Sequence, residues 1–184
     1  VVTNSSMDTS LLNSLDANTT GTIDASIITA LSGTAHEINS AYTSSGISGL
    51  GNEAITITDA SITIAEANFL SAFTTGVVTA TISHGAIATL AGLTETGNAY
   101  TMTVTDASVS ASALNTLNAK TTGVVTVQAT TITGTAADII TAYLSGANGT
   151  IAGLGNEAIT VTGSISVNHA NLFAAATSGI VTAT

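Results

Sequence analysis

The block Gly49-Leu50-Gly51-Asn52-Glu53-Ala54-Ile55-Thr56 returns unchanged as Gly153-Leu154-Gly155-Asn156-Glu157-Ala158-Ile159-Thr160, an offset of 153 − 49 = 104 residues. A chain that repeats itself at a fixed distance is built from stacked supersecondary units, none of which buries its apolar face alone. A shorter repeat lies inside the long one. A polar run ends at glycine and a β-branched strand starts at once in Thr74-Thr75-Gly76-Val77-Val78-Thr79, in Thr121-Thr122-Gly123-Val124-Val125-Thr126 and in Thr177-Ser178-Gly179-Ile180-Val181-Thr182. Thr19-Thr20-Gly21-Thr22-Ile23 is a worn version.

Aligning on these strand starts divides residues 1–184 into coils 1–21, 22–53, 54–76, 77–99, 100–123, 124–157 and 158–179, with 180–184 opening another. Most coils run 21–24 residues, and the two longer ones read as carrying an insert at the same place. Each coil has three parts. An alternating strand puts aliphatics on one face and threonine on the other, as in Ile55-Thr56-Ile57-Thr58, Met102-Thr103-Val104-Thr105 and Ile159-Thr160-Val161-Thr162. A corner and a shorter strand follow in Asp24-Ala25-Ser26-Ile27, Asp59-Ala60-Ser61-Ile62 and Asp106-Ala107-Ser108-Val109, because Asp and Ser side chains bond nearby backbone N–H groups. A helix of about three turns comes third. Thr34…Glu37, Thr63…Glu66 and a shortened Thr135…Asp138 cap it, and Leu11, Leu12, Leu15, Leu70, Phe73, Leu114, Leu117, Leu172 and Phe173 supply its apolar stripe. The junction glycine is expected to end the helix in the left-handed conformation.

The predicted fold is an α/β repeat. It is a right-handed β-solenoid of strand–turn–strand–helix coils, with parallel sheets and a column of short helices, forming one domain over residues 1–184. The plainer alternative is a small α/β domain of sequential βα units, in which the four-coil superperiod has no natural place.

Composition narrows function by exclusion. One basic residue, Lys120, stands against eleven acids, for a formal charge of −10. That excludes the basic footprint for nucleic acid or for an anionic membrane surface. No apolar run approaches the ~20 residues of a membrane-spanning helix. With no cysteine, no tryptophan and 7% charged residues, the surface is mostly hydroxyls and amides. His36, His84 and His169 are never at metal-ligand spacing and read as solvated or half-buried helix residues. No nucleophile elbow is present, and the glycine-rich stretches lack the lysine of a phosphate-binding loop. No small-molecule substrate, cofactor or enzyme activity is indicated. Lys120 stands where Phe73 stands in a sister coil, near a helix end that its charge suits.

Four surface features remain. Gly46, Gly49 and Gly51, matched by Gly149, Gly153 and Gly155, read as loops bulging from an edge and as lateral-contact candidates. Asp24, Asp59 and Asp106 are candidate Ca²⁺ ligands if their corners align, although Gly163 and the Ser83 region break the column, and plain turn chemistry is the competing reading. Thr56, Thr58, Thr79, Thr81, Thr103, Thr105, Thr160 and Thr162 would form ranks on one flat sheet. Such ranks resemble the ice-binding face of β-solenoid antifreeze proteins, and the alternative is that threonine is simply a good strand residue. Lastly, Val1-Val2-Thr3 and Ile180-Val181-Thr182 read as uncapped strand starts at a repeat boundary. They suggest a mature fragment or a piece of a longer array, and they predict head-to-tail self-association into a filament or layer.

The motif Thr-Thr-Gly-Val-Val-Thr, the pairing of Thr105-Asp106-Ala107-Ser108 with Ala113-Leu114-Asn115-Thr116-Leu117, and the stretch Tyr42–Ala54 carry a resemblance over nearly the whole chain. They resemble the repeats of very long secreted and cell-surface proteins of marine cyanobacteria, giant surface proteins linked to swimming among them, and similar repeats of their phages. The resemblance implies a structural or adhesive part outside the cell, and it offers no catalytic residues to carry over.

Overall fold

The computed structural model describes residues 2–183, an α/β protein whose described strand pairs run parallel. Val1, expected at an assembly interface, lies outside the described residues, as does Thr184. Seven helices are found among the described residues. The chain divides into two compact units. The first takes the residues up to Ser83 with Gly97–Tyr100, and the second takes His84–Thr96 and the residues from Thr101 onward.

Unit one contains β1 (Ser6–Asp8), α1 (Thr9–Ala17), β2 (Ile23–Asp24), β3 (Ala30–Gly33), α2 (Ala35–Thr43), β4 (Ile47–Ser48), β5 (Ala54–Ile57), α3 (Ile64–Ser71) and β6 (Val78–Thr81). The strands β1, β3, β5 and β6 are neighbours in that order, while β2 pairs with β4. Register gives the period directly. Ser6 faces Ala30 and Ala30 faces Ala54, steps of 30 − 6 = 24 and 54 − 30 = 24 residues. Ile23 faces Ile47, again 47 − 23 = 24.

Unit two contains α4 (Ile87–Leu90), the part of β7 (Ala99–Val104) from Thr101, β8 (Ser108–Ser110), α5 (Ala111–Asn118), β9 (Val125–Val127), β10 (Thr131–Gly134), α6 (Ala136–Ala147), β11 (Ile151–Ala152), β12 (Ala158–Val161), α7 (Val167–Ala176) and β13 (Val181–Ala183). Its sheets run β8–β10–β12–β13 and β7–β9–β11. The 104-residue copy is structural as well. Ala30-Leu31-Ser32-Gly33 faces Ala54-Ile55-Thr56-Ile57 in unit one, and Thr131-Ile132-Thr133-Gly134 faces Ala158-Ile159-Thr160-Val161 in unit two.

This register removes the two inserts expected in 22–53 and 124–157. Ile23 and Ile55 begin strands of different sheets, and so do Val125 and Ile159. Aligning them as equivalents stretches two coils that the pairing shows to be of ordinary length.

Alternation performs as period two requires. Ile55, Val78, Met102, Val104, Ile159 and Val161 are buried, while Thr56, Thr58, Thr79 and Thr162 face out. Helix caps follow the expected chemistry. Thr34 and Thr63 form full capping boxes with Glu37 and Glu66, and the Thr135 side chain accepts from the Asp138 N–H at 3.2 Å. The expected stripe is half right: Leu12, Leu70, Leu114, Leu117 and Phe173 are buried, but Leu11, Leu15 and Leu172 are exposed. The helix of the fourth coil, α4, has only four residues and no side-chain cap.

The junction glycines do not work as expected. None of Gly21, Gly76, Gly123 and Gly179 has a positive φ. In each case the preceding Thr-x-Gly threonine folds back, its Oγ1 accepting from the glycine N–H: Thr19 at 3.2 Å, Thr74 at 2.9 Å, Thr121 at 2.9 Å and Thr177 at 3.0 Å. What demands glycine is proximity. A Cβ at Gly76 would sit 2.2 Å from the Glu53 carbonyl oxygen, and one at Gly179 would sit 2.2 Å from that of Glu157. At Gly21 the nearest atom is 3.8 Å away, so the close approach does not occur in the worn junction.

Gly76→Ala and Gly179→Ala should therefore each lower stability by about 1–3 kcal/mol, the range for forcing atoms into a filled site. Gly21→Ala should change it by less than about 0.5 kcal/mol. Thermal or denaturant unfolding of the three variants checks this, and equal effects at positions 21 and 76 would refute the proximity argument.

Candidate functional site

The two identical octapeptides each bury a glutamate. Glu53 and Glu157 are fully buried, in a chain where acids are few. A buried carboxylate is tolerated only when its oxygens are bonded. In unit one the hydroxyl of Tyr42, near the end of α2, donates to Glu53 Oε2 in a short hydrogen bond. The Gly51 N–H donates to Oε1 and Oε2 at 3.0 and 2.9 Å. In unit two Tyr143 of α6 donates to Glu157 Oε2 at 2.8 Å, and the Gly155 N–H lies 2.9 Å from both oxygens.

The junction threonine closes the same structure from the other side. Thr74 Oγ1 donates to the Glu53 carbonyl at 2.6 Å while accepting from Gly76, and Thr177 does the same to Glu157 at 2.6 Å. The backbone adds Thr75 N–H to the Gly51 carbonyl at 3.0 Å and Ser178 N–H to that of Gly155 at 2.9 Å. Each clamp thus joins a helix end, a glycine turn and the following junction. Gly51 and Gly155 hold φ of +146° and +124°, which makes the turn possible.

Burial and the neighbouring glutamate push the Tyr42 and Tyr143 hydroxyls well above the usual tyrosine range, desolvation being the larger cause. With the carboxylates fully buried, no substrate can be brought within the hydrogen-bonding reach that general acid–base work requires. The chemistry of the clamp is attachment.

The glycine-rich stretches are not bulging loops. They hold β4 and β11, whose Ile47 and Ile151 pair with Ile23 and Val125 and are buried. A Cβ at Gly49 would lie 2.8 Å from the Ser26 backbone N and one at Gly153 would lie 2.3 Å from the Val127 carbonyl, so both glycines pack on the neighbouring coil. A Cβ on Gly46 would meet the Asp16 carboxylate, whereas Gly149 faces open space.

The corner aspartates split by role. Asp24 turns on itself, accepting from the Ser26 N–H at 3.1 Å, and its bonds to Ser26 hold its carboxyl below the usual range. Asp59 and Asp106 reach to another coil. Asp59 Oδ2 accepts from the Ala35 N–H that opens α2, and Asp106 Oδ2 accepts from the Ile87 N–H that opens α4, both at 2.6 Å. Each satisfies a helix N-terminal donor and complements the helix dipole. Among the described residues no group of three or more His, Asp and Glu side chains is placed to hold a metal ion.

Lys120 makes the opposite contact. Its Nζ donates to the carbonyls of Ala91, at 3.0 Å, and Leu93, just past the end of α4. His36 and His84 are exposed, His84 in a loop rather than on a helix, and the His169 ring lies 6.2 Å from that of Phe173.

The threonines do not form one flat rank. Thr56 of β5 faces Thr79 of β6, with Thr58 and Thr81 also exposed. In unit two, however, Thr103 faces Thr126 in the β7–β9–β11 sheet, whereas Thr160 faces Thr182 in the other sheet. Thr105 follows the first set and Thr162 the second. Of the remaining assembly candidates, Val2 is buried, Thr3 is exposed, Val181 is half-buried, and Ile180 and Thr182 are exposed. No helix among the described residues is long and apolar enough to cross a membrane. No family model, curated protein or solved structure matches the chain.

Sequence reading missed the clamp. The available signal was a glutamate kept inside an identical block of a charge-poor chain, with a tyrosine 11 residues before it in one copy and 14 in the other.

Tyr42→Phe or Glu53→Gln should cost about 1–3 kcal/mol, the penalty of a buried group left without its partner. The pH dependence follows from the tyrosines. Their folded-state pKa values are raised above the ordinary ~10, so the stability they contribute is complete below pH ~10 and is lost as pH rises past it. Unfolding midpoints measured between neutral and strongly alkaline pH should fall less steeply in a Tyr42→Phe/Tyr143→Phe double variant than in the parent chain. An unchanged slope would sink this assignment.

Proposed function

We propose that this chain is a non-enzymatic structural segment of an extracellular filament, surface layer or adhesin. Its coils continue as a right-handed β-solenoid and associate end to end. One observation carries the reading: the side chains with chemical potential bind the backbone of another coil. Asp59 and Asp106 cap helices one coil back, Lys120 binds carbonyls past the end of α4, and Thr74 and Thr177 fasten the glutamate turns. Asn13 and Asn115 repeat the habit between helices, donating to the carbonyls of Glu37 and Asp138 at 3.0 and 2.9 Å. Polar groups used this way stiffen a stack and leave little for a substrate. Parallel strands stepping by 22–27 residues, from Ile159–Val181 to Thr131–Ala158, are the pairing a solenoid requires.

Matched positions favour end-to-end association. Leu117 of α5 is fully buried, and α4 packs beside that helix. Its counterpart in α1, Leu15, which lies 117 − 15 = 102 residues earlier, is 50% exposed. Beside Leu15 an open cavity of about 390 Å³ is lined by Val2, Thr3, Met7 and Ile23 among others. This face has the residues of a covered surface, and a further coil is the shape that covers it.

Sedimentation and electron microscopy of the purified chain in physiological salt should show end-on polymers that Leu15→Glu shortens or abolishes. Particles that stay monomeric at tens of micromolar, or polymers indifferent to Leu15→Glu, would overturn the assembly.

A further inference from the structure

The two clamps differ at one neighbouring position. In unit one the residue before the Thr-x-Gly junction is Phe73, whose ring stacks on Tyr42 with centroids 5.0 Å apart and an interplanar angle of 11°. Phe69 meets the same ring edge-on at 4.8 Å. In unit two the corresponding residue is Ala176, since Phe73-Thr74-Thr75-Gly76 aligns with Ala176-Thr177-Ser178-Gly179. Backbone geometry confirms the equivalence. A Cβ built on Gly51 lies 4.0 Å from the Phe73 carbonyl oxygen, and one built on Gly155 lies 3.9 Å from that of Ala176.

The missing ring leaves a space. A cavity of about 190 Å³ is lined by Ile140, Tyr143, Leu144, Leu172, Phe173 and Ala176. Phe173, at the position of Leu70, is buried and packs toward His169 at 6.2 Å, and the cavity persists beside it. Leu144 and Leu172 at its rim are 58% and 48% exposed, so the space is reachable from solvent. The hydroxyl of Tyr143 is engaged by Glu157, and the other lining side chains are apolar.

We propose that unit two binds a free, uncharged monocyclic aromatic molecule, stacked on Tyr143 where the Phe73 ring stacks on Tyr42. Size and chemistry agree. An apolar cavity of about 150 Å³ is enough to hold benzene, and offset stacking on a tyrosine whose orientation is already locked adds to the burial of apolar area. With no charged side chain in the lining, the site favours neutral aryl groups over sugars or anions.

Titration of the full chain with benzene and toluene, followed by calorimetry and by NMR of the Leu methyls and Tyr rings, tests the proposal. Saturable one-to-one binding is expected, with shifts at Tyr143, Leu144 and Leu172. Ala176→Phe should abolish binding and raise Tm, because the chain then supplies its own ring. Phe73→Ala should open the equivalent site in unit one and raise the stoichiometry to two. The proposal falls if the parent chain shows no saturable binding, if Ala176→Phe leaves binding intact, or if Phe73→Ala adds no second site. It falls equally if neither hydrocarbon binds and Ala176→Phe instead abolishes self-association, which would assign the space to an aromatic side chain of another chain.

Discussion

A buried glutamate held by a tyrosine hydroxyl and a glycine N–H fixes how each of these two units is organised. Removing a carboxylate from water is costly, and only a complete set of donors makes it tolerable. That requirement sets the position of the helix bearing Tyr42 or Tyr143, the positive-φ turn at Gly51 or Gly155, and the junction threonine on the glutamate's own carbonyl. The next glycine must then pass so close to that carbonyl that no side chain fits. Two sequence features that look independent, the octapeptide and the Thr-x-Gly junction, are the two halves of one contact.

The same economy governs the rest of the polar inventory. Helix ends leave backbone donors and acceptors unsatisfied, and here another coil supplies several of them: Asp59 and Asp106 at N-termini, Lys120 near a C-terminus. Contacts of this kind tie one step of the stack to the next, so stability grows with each neighbour rather than residing in one core. A chain with eleven acids and one base thereby uses its few charges where regular structure needs them.

The duplication also isolates the effect of single differences. Lys120, Phe73 and Ala176 occupy one position in three coils. One reaches carbonyls past a helix end, one stacks on a tyrosine, and one leaves a cavity. The same backbone tolerates all three because the residue sits just outside the clamp, where only space, and not the hydrogen-bond set, changes.

The short period, the alternation of buried aliphatics with outward threonines and the capping boxes at Thr34 and Thr63 were legible in the residues, because each is a local pattern with a local cause. Local pattern does not report which sheet a strand joins. Ile23 and Ile55 look alike along the chain, yet they belong to different sheets, and Thr103 and Thr160 part company for the same reason. Nor does it distinguish a glycine that turns left-handed from one pressed against a carbonyl, as at Gly76. By itself the sequence determined that the chain repeats and what each coil contains. Tertiary structure decided where the repeats touch, because the burial of Glu53 and Glu157 depends on atoms brought in from the preceding helix and the following junction.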